Sequence, residues 1–102
     1  MKRLGVLFVA LVGCNGGESR LDQVLALTGD EGDGATVFAD NCAVCHGADG
    51  SGDSGPNIQG EDELEEVIGV VLSGEEEMPS FDGDLSDQEI ADVAAYVTAG
   101  FP

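Results

Sequence analysis

Two cysteines and the chain's single histidine fall within five residues, Cys42-Ala43-Val44-Cys45-His46. Thiols three positions apart on a helical turn lie on one face. Each can add to a vinyl group of a haem, and the adjacent imidazole then reaches the iron from one side of the ring. C-x-x-C-H is the attachment pattern for c-type haem. In a chain of this composition it arises by chance roughly once in a thousand sequences. Two other chemistries use the same residues. A structural disulfide or a thioredoxin-like redox pair needs the two thiols alone, though the redox motif belongs in a βαβ context. A zinc site needs four ligands, and no second Cys/His pair completes the set.

A haem iron has a second axial position. His46 is the only His, which excludes bis-His ligation within one chain. Apart from the initiator, Met78 is the only Met. It lies beside Pro79 in an irregular segment between two helices, where a thioether can be held over an iron, and Met opposite His is a common axial pair. The competing reading of Met78 is a loop side chain filling a gap in the core. Asp49, Ser51 and Asp53 alternate in a Gly-rich loop and faintly resemble a Ca²⁺ loop. The required Gly comes one position late and position twelve is Gly60, so a solvated loop is expected. Glu75-Glu76-Glu77 reads as a solvated acidic patch whose nearness to Met78 also suits a docking surface. Carboxylates near an iron favour the ferric state and lower its potential. With His46 taken, no Ser/His/Asp or Cys/His nucleophile set remains.

The elements that must hold these residues are helical. Asp33 can cap a helix running through Ala35, Val37, Phe38, Asn41 and Cys42, whose last four named residues share a face. Gly47 to Gly60, rich in Gly and containing Pro56, reads as a loop. Glu61 to Leu72 reads as an amphipathic helix with Leu64, Val67, Ile68, Val71 and Leu72 on one stripe. Gly74 is its expected stop, and Glu75 to Gly83 is a second irregular segment. Ser86 and Glu89 form a capping box, with Leu85 and Ile90 at the staple positions. Ile90, Val93, Ala94 and Val97 make the buried stripe that follows, with Tyr96 beside it and Gly100 at the end. Leu21 to Leu27 has room for one or two helical turns, and Thr28 to Gly34 reads as a turn. No segment reads as a strand. The expected fold class is all-α, with three or four helices.

At 102 residues the chain is one small domain. Three Lys+Arg against 21 Asp+Glu give a net charge of −18, which excludes nucleic acid as a partner and argues against docking on anionic headgroups. A basic protein partner suits such a field. Four Phe, one Tyr and no Trp make a thin aromatic core, so a domain of this size needs a further staple. Lys2 and Arg3 precede an apolar run, Leu4 to Val12, too short to cross a bilayer but ordered like a signal peptide. Leu11-Val12-Gly13-Cys14 resembles the lipobox of bacterial lipoproteins, in which the Cys is lipidated and becomes the first mature residue. An ordinary signal peptide or a buried strand with a stray Cys are the other readings. Cleavage before Cys14 would leave one base, Arg20, against all 21 acids. Asn15 to Arg20 reads as a flexible tether. The expected organisation is a signal peptide over 1–13, a lipidated tether and short pre-domain segment over 14–33, and the functional domain over 34–102.

From about Gly34 to the C-terminus the chain resembles the small bacterial class I c-type cytochromes. Cys42, Cys45 and His46 carry the resemblance, with Gly55-Pro56, Met78-Pro79-Ser80-Phe81 and Ile90 to Val97. It implies that the first and last helices of the domain cross closely, Gly34 and Phe38 against Val93 and Tyr96. It implies that the Pro56 carbonyl accepts a hydrogen bond from His46, and that Ile58 packs on the haem. It implies one haem c, covalent through Cys42 and Cys45 with His46 and Met78 on the iron. The expected function is a single-electron carrier rather than an enzyme. It would be a monomer with no small-molecule substrate, anchored to a membrane in the bacterial periplasm through Cys14, with basic redox proteins as partners. Its haem-free chain would be largely unfolded. One departure is the lack of a Lys or Arg for the haem propionates: Arg20 precedes the matched region, which leaves neutral donors such as Asn57, backbone amides or water. The alternative function is a ligand-binding or peroxidase-like haem protein with an open sixth site, against which stands the lack of a distal His or Arg. A haem-free lipoprotein with a Cys42–Cys45 disulfide is a third.

Overall fold

The computed structural model describes residues 19–102; the apolar run of residues 4–12 and Cys14 lie outside the described residues. Five helices and no extended strand occur among the described residues: α1 (Arg20–Leu25), α2 (Glu31–Asn41), α3 (Ala43–His46), α4 (Leu64–Ser73) and α5 (Asp87–Thr98). The all-α class is as expected. The count exceeds three or four because α1 forms and because a break at Cys42 separates the one-turn α3 from α2.

The core forms where α2 crosses α5. Phe38, Ile90, Val93 and Ala94 are almost wholly buried there, with Tyr96 and Val97 beside them. Fully burying one such side chain contributes about 1.5–3 kcal/mol. Two glycines permit the close approach. A Cβ on Gly34 would lie 2.6 Å from the Asp92 carbonyl carbon and 2.8 Å from Tyr96 Cβ, and one on Gly29 would lie 2.9 Å from Ala95 Cβ. No side chain fits at either distance, so backbone meets backbone and the apolar residues on either side interlock. Phe38, Tyr96 and Phe101 form an aromatic triad with ring centroids 5.2–5.7 Å apart. Edge-on contacts of this kind suit the ring quadrupoles.

Helix ends differ from the sequence expectation in two places. Asp30, not Asp33, caps α2: its side chain accepts from the Asp33 amide at 2.8 Å. The Asp30 amide in turn donates to the buried Asp92 carboxylate, also at 2.8 Å. That tie to α5 draws the helix start back by three residues, through Gly32 and Gly34. Helix α4 begins at Leu64 rather than Glu61, because Glu61 to Glu63 continue the preceding loop and Glu63 has an extended backbone. Its first-turn acids are Glu65 and Glu66, which suit the positive end of the helix dipole. The capping box of α5 is as expected, with Ser86 Oγ accepting from the Glu89 amide and Glu89 Oε1 accepting from the Ser86 amide.

The sequence reading begins the domain at Gly34, yet α1 already packs on α4 and α5, with Val24 fully buried. Arg20 does not extend a tether. It opens α1 and reaches Asp82 and Asp87, at 2.6 and 2.7 Å. No helix among the described residues is long and apolar enough to cross a membrane.

Candidate functional site

One cavity of about 730 Å³ brings the sequence-predicted residues together. Its walls include Cys42, Cys45, His46, Pro56, Ile58 and Met78. Val67, Val71, Val93 and Val97 supply apolar floor from α4 and α5, and Phe38 and Phe81 add rings. The size is that of a cofactor site.

The attachment turn is built locally. Cys42 ends α2, and its carbonyl accepts from the amides of Cys45 and His46 at 3.1 and 3.0 Å. This bends the chain so that both thiols and the imidazole reach the cavity. Cys42 is half-buried, Cys45 is exposed, and neither is in a disulfide. Burial, and secondarily the neighbouring Cys45, pushes the Cys42 thiol up to about 11. The thioredoxin-like reading lacks its βαβ unit among the described residues, which hold helices and no strand.

His46 is buried, and its Nδ1 lies 2.8 Å from the Pro56 carbonyl oxygen. A carbonyl only accepts, so Nδ1 is the donor, and in the neutral ring that leaves the lone pair on Nε2. The loop that offers Pro56 is itself pinned. Gly55 N donates to Cys45 O at 2.7 Å, Gly52 N to His46 O at 2.7 Å, and Ile58 N to Gly50 O at 2.8 Å. Pro56 is exposed apart from this contact, and Ile58 is half-buried.

Met78 comes from the segment that follows α4. Gly74 ends α4 with φ of 76°, and a Cβ there would lie 2.8 Å from Met78 O and 2.9 Å from Ser80 N. Only glycine lets the chain double back so tightly. The turn is closed by Met78 N donating to Glu75 O at 2.7 Å and Glu75 N donating to Met78 O at 3.1 Å. Beyond it, Ser80 Oγ donates to Leu72 O at 2.6 Å and Phe81 N to Val71 O at 2.9 Å. The Met78 segment is thus laced along the end of α4.

The donor set and the cavity fit a haem c: two thiols on one turn, an imidazole whose Nδ1 is engaged by Pro56, a thioether lining the same cavity, and apolar walls of adequate volume. They do not fit a metal centre built from protein ligands alone. Glu61, Glu66 and Glu75 to Glu77 also line the cavity and are exposed. No basic side chain does so among the described residues. The alternating Asp49, Ser51 and Asp53 stay apart from this site. The Ser51 side chain, and after it the Ser51 amide that donates to Asp49 Oδ1, hold the Asp49 pKa below the ordinary carboxylate value.

Two contributors escaped the sequence reading. Gly74 was legible only as a helix stop, although its closeness to Met78 O and Ser80 N is what shapes the loop. Arg20 carried no local signal, since its partners lie more than 60 positions away.

Comparison with known proteins agrees with this geometry. Residues 29–97 match the family model described as cytochrome c oxidase, cbb3-type, subunit III. The chain is 38% identical over 98 residues to a cytochrome c-553-like protein of Synechocystis, covering 92% of this chain and 91% of the relative. It is 39% identical over 80 residues to cytochrome c6 of Thermosynechococcus vestitus, covering 71% of each. The crystal structure of cytochrome c6 from the diatom Phaeodactylum tricornutum superposes with a TM-score of 0.65 at 39% identity, covering 72% of this chain and 95% of that one. With the attachment turn, the His46–Pro56 bond and Met78 in one cavity, the chain belongs to the small class I c-type cytochromes, monohaem electron carriers rather than enzymes, with one covalently attached haem c.

Proposed function

We propose that this cytochrome carries single electrons between protein partners while tethered to a membrane on the exported side of a bacterial cell. Cys42 and Cys45 would hold the haem through thioethers, and His46 Nε2 and Met78 Sδ would be the protein ligands to its iron. When bound, the haem supplies an Fe(II)/Fe(III) couple. The chain's own residues do the rest. Pro56 keeps the proton on Nδ1 and fixes the imidazole plane, as outer partners of metal-bound His do. Ile58 and the valines of α4 and α5 keep water from the iron. Asn57 and backbone amides serve the propionates in place of a basic side chain.

The single observation that carries the reading is the imidazole fixed at 2.8 Å from Pro56 with Met78 in the same cavity. With His46 and Met78 both ligating, the iron would offer no place for a small molecule to react. The exposed carboxylates at the cavity, Glu75 to Glu77 among them, support basic redox proteins as partners, met by fast, salt-sensitive association. The lipobox-like Leu11 to Cys14 supports a lipid anchor in the periplasm, which would raise the effective concentration for membrane partners. The carrier acts as a monomer.

The test is an absorption spectrum after expression with a c-haem maturation system. The expected result is a covalent low-spin haem in both oxidation states, with the weak red charge-transfer band of Met-ligated ferric iron. A high-spin spectrum would overturn Met78 ligation in favour of an open-site ligand-binding protein. Mass spectrometry of the mature N-terminus tests the anchor, with a diacylglyceryl group on Cys14 expected.

A further inference from the structure

We infer that Arg20 is a positioning residue for Met78: a clamp, from a helix that precedes the family-matched region, on the segment that presents the thioether. The inference rests on the proposed axial role of Met78. Arg20 is the only Lys or Arg among the described residues, and every hydrogen bond it makes goes to one short stretch. Nε donates to Asp87 Oδ1 at 2.7 Å, one terminal nitrogen to Asp82 Oδ1 at 2.6 Å and to the Asp82 carbonyl, and the other to the Leu85 carbonyl at 2.8 Å. A planar fork with fixed donors suits this set of acceptors in a way that an ammonium does not.

The stretch it grips begins four residues after Met78. Upstream, the Met78 segment is held to α4 by Ser80 and Phe81. Downstream, Asp84 N and Leu85 N both donate to Phe81 O, at 3.0 and 3.1 Å, so the segment and its continuation turn as one piece. Arg20 is the tie from outside α4 and α5. It also neutralises a place where Asp82, Asp84 and Asp87 would otherwise repel one another. α1 itself is anchored by the fully buried Val24 against α4 and α5, so the guanidinium is mounted on a fixed base. Without the clamp the segment keeps its fold but swings more readily, and the Met–iron bond opens more often.

The probe is imidazole, which competes with Met78 for ferric iron. Arg20→Gln is expected to raise the apparent imidazole affinity tenfold or more and to bleach the red charge-transfer band at lower urea than the loss of helix. Arg20→Lys should restore only part of the effect. Val37→Ala, buried on α2, which does not touch α1, and outside the cavity lining, serves as a reference that lowers global stability without touching the clamp or its base. Imidazole affinity unchanged in Arg20→Gln, or raised only as far as in a Val37→Ala protein of equal global stability, would overturn the clamp. A wild-type protein lacking the red band would overturn the Met78 reading instead, and is read before any variant.

Discussion

The α2–α5 crossing and the walls of the cavity are held by different physics. At the crossing, side chains fill space directly. Phe38, Ile90, Val93 and Ala94 are at most 2% exposed, and two glycines bring the backbones together. On the cavity side, two long irregular segments, residues 47–63 and 74–86, are shaped by backbone hydrogen bonds, by the tight turn at Gly74, and by Arg20. They help enclose about 730 Å³, and of their side chains only Leu85 is fully in the core. The first region is packed by protein side chains, though so small a core does not hold the chain folded alone. The second would be completed by the haem, whose faces would supply the apolar surface that so small a chain lacks. One domain thus divides its labour: the crossing sets where the walls stand, and the prosthetic group holds them there.

The largest effect should come from removing that group. Cys42→Ala with Cys45→Ala is expected to abolish covalent haem and most far-UV helix signal together. A haem-free chain with native-like circular dichroism would show the crossing to be self-sufficient and would break the comparison outright. Next, Gly34→Val strikes the crossing and spares the walls. Overpacking against the Asp92 backbone should lower the stability of the haem-loaded protein by about 3 kcal/mol, read from urea midpoints, with the red band of the native form unchanged.

Met78→Ala does the reverse. Stability should fall less, while the reduction potential drops by on the order of 0.1 V, a fraction of the ~0.8 V that axial ligands span. The ferrous protein should then bind CO, measurable by flash photolysis. Glu75→Gln with Glu77→Gln leaves both regions intact and alters only the cavity rim. Electron transfer to a basic acceptor should slow by about tenfold at low salt, and added salt should erase the difference; salt-independent rates would remove the steering claim. Gly69→Ala gives the smallest change and the opposite sign. Nothing lies within 4 Å of a Cβ at Gly69 in α4, so the substitution should stabilise by about 0.5–1 kcal/mol by removing a helical glycine.

How much of this was legible in the residues depended on distance along the chain. The attachment turn spans five positions and its chemistry follows from residue type alone. The capping box at Ser86 and Glu89 is a four-residue pattern and forms as read. Met78 is reached by elimination, since only one His and one non-initiator Met exist. Misreadings arose where a distant partner intervened. Asp33 looked like the α2 cap by local pattern, but Asp30 is held to Asp92, 62 positions on, and starts the helix earlier. Glu61 to Glu63 looked like a first helical turn because acids suit one, yet the loop from Gly47 runs on through them.

By itself, then, the sequence determined the all-α class, the haem-binding turn, the acidic field and the family, because each of these is written in local spacing or in composition. Only the tertiary structure decided the glycine-lined crossing, the fold-back at Gly74, the packing of α1 onto the domain and the grip of Arg20 on the segment beyond Met78. Those depend on pairs more than 60 residues apart, or on the exact room left beside a backbone. Neither periodicity nor residue type encodes that room; it exists once the helices have packed.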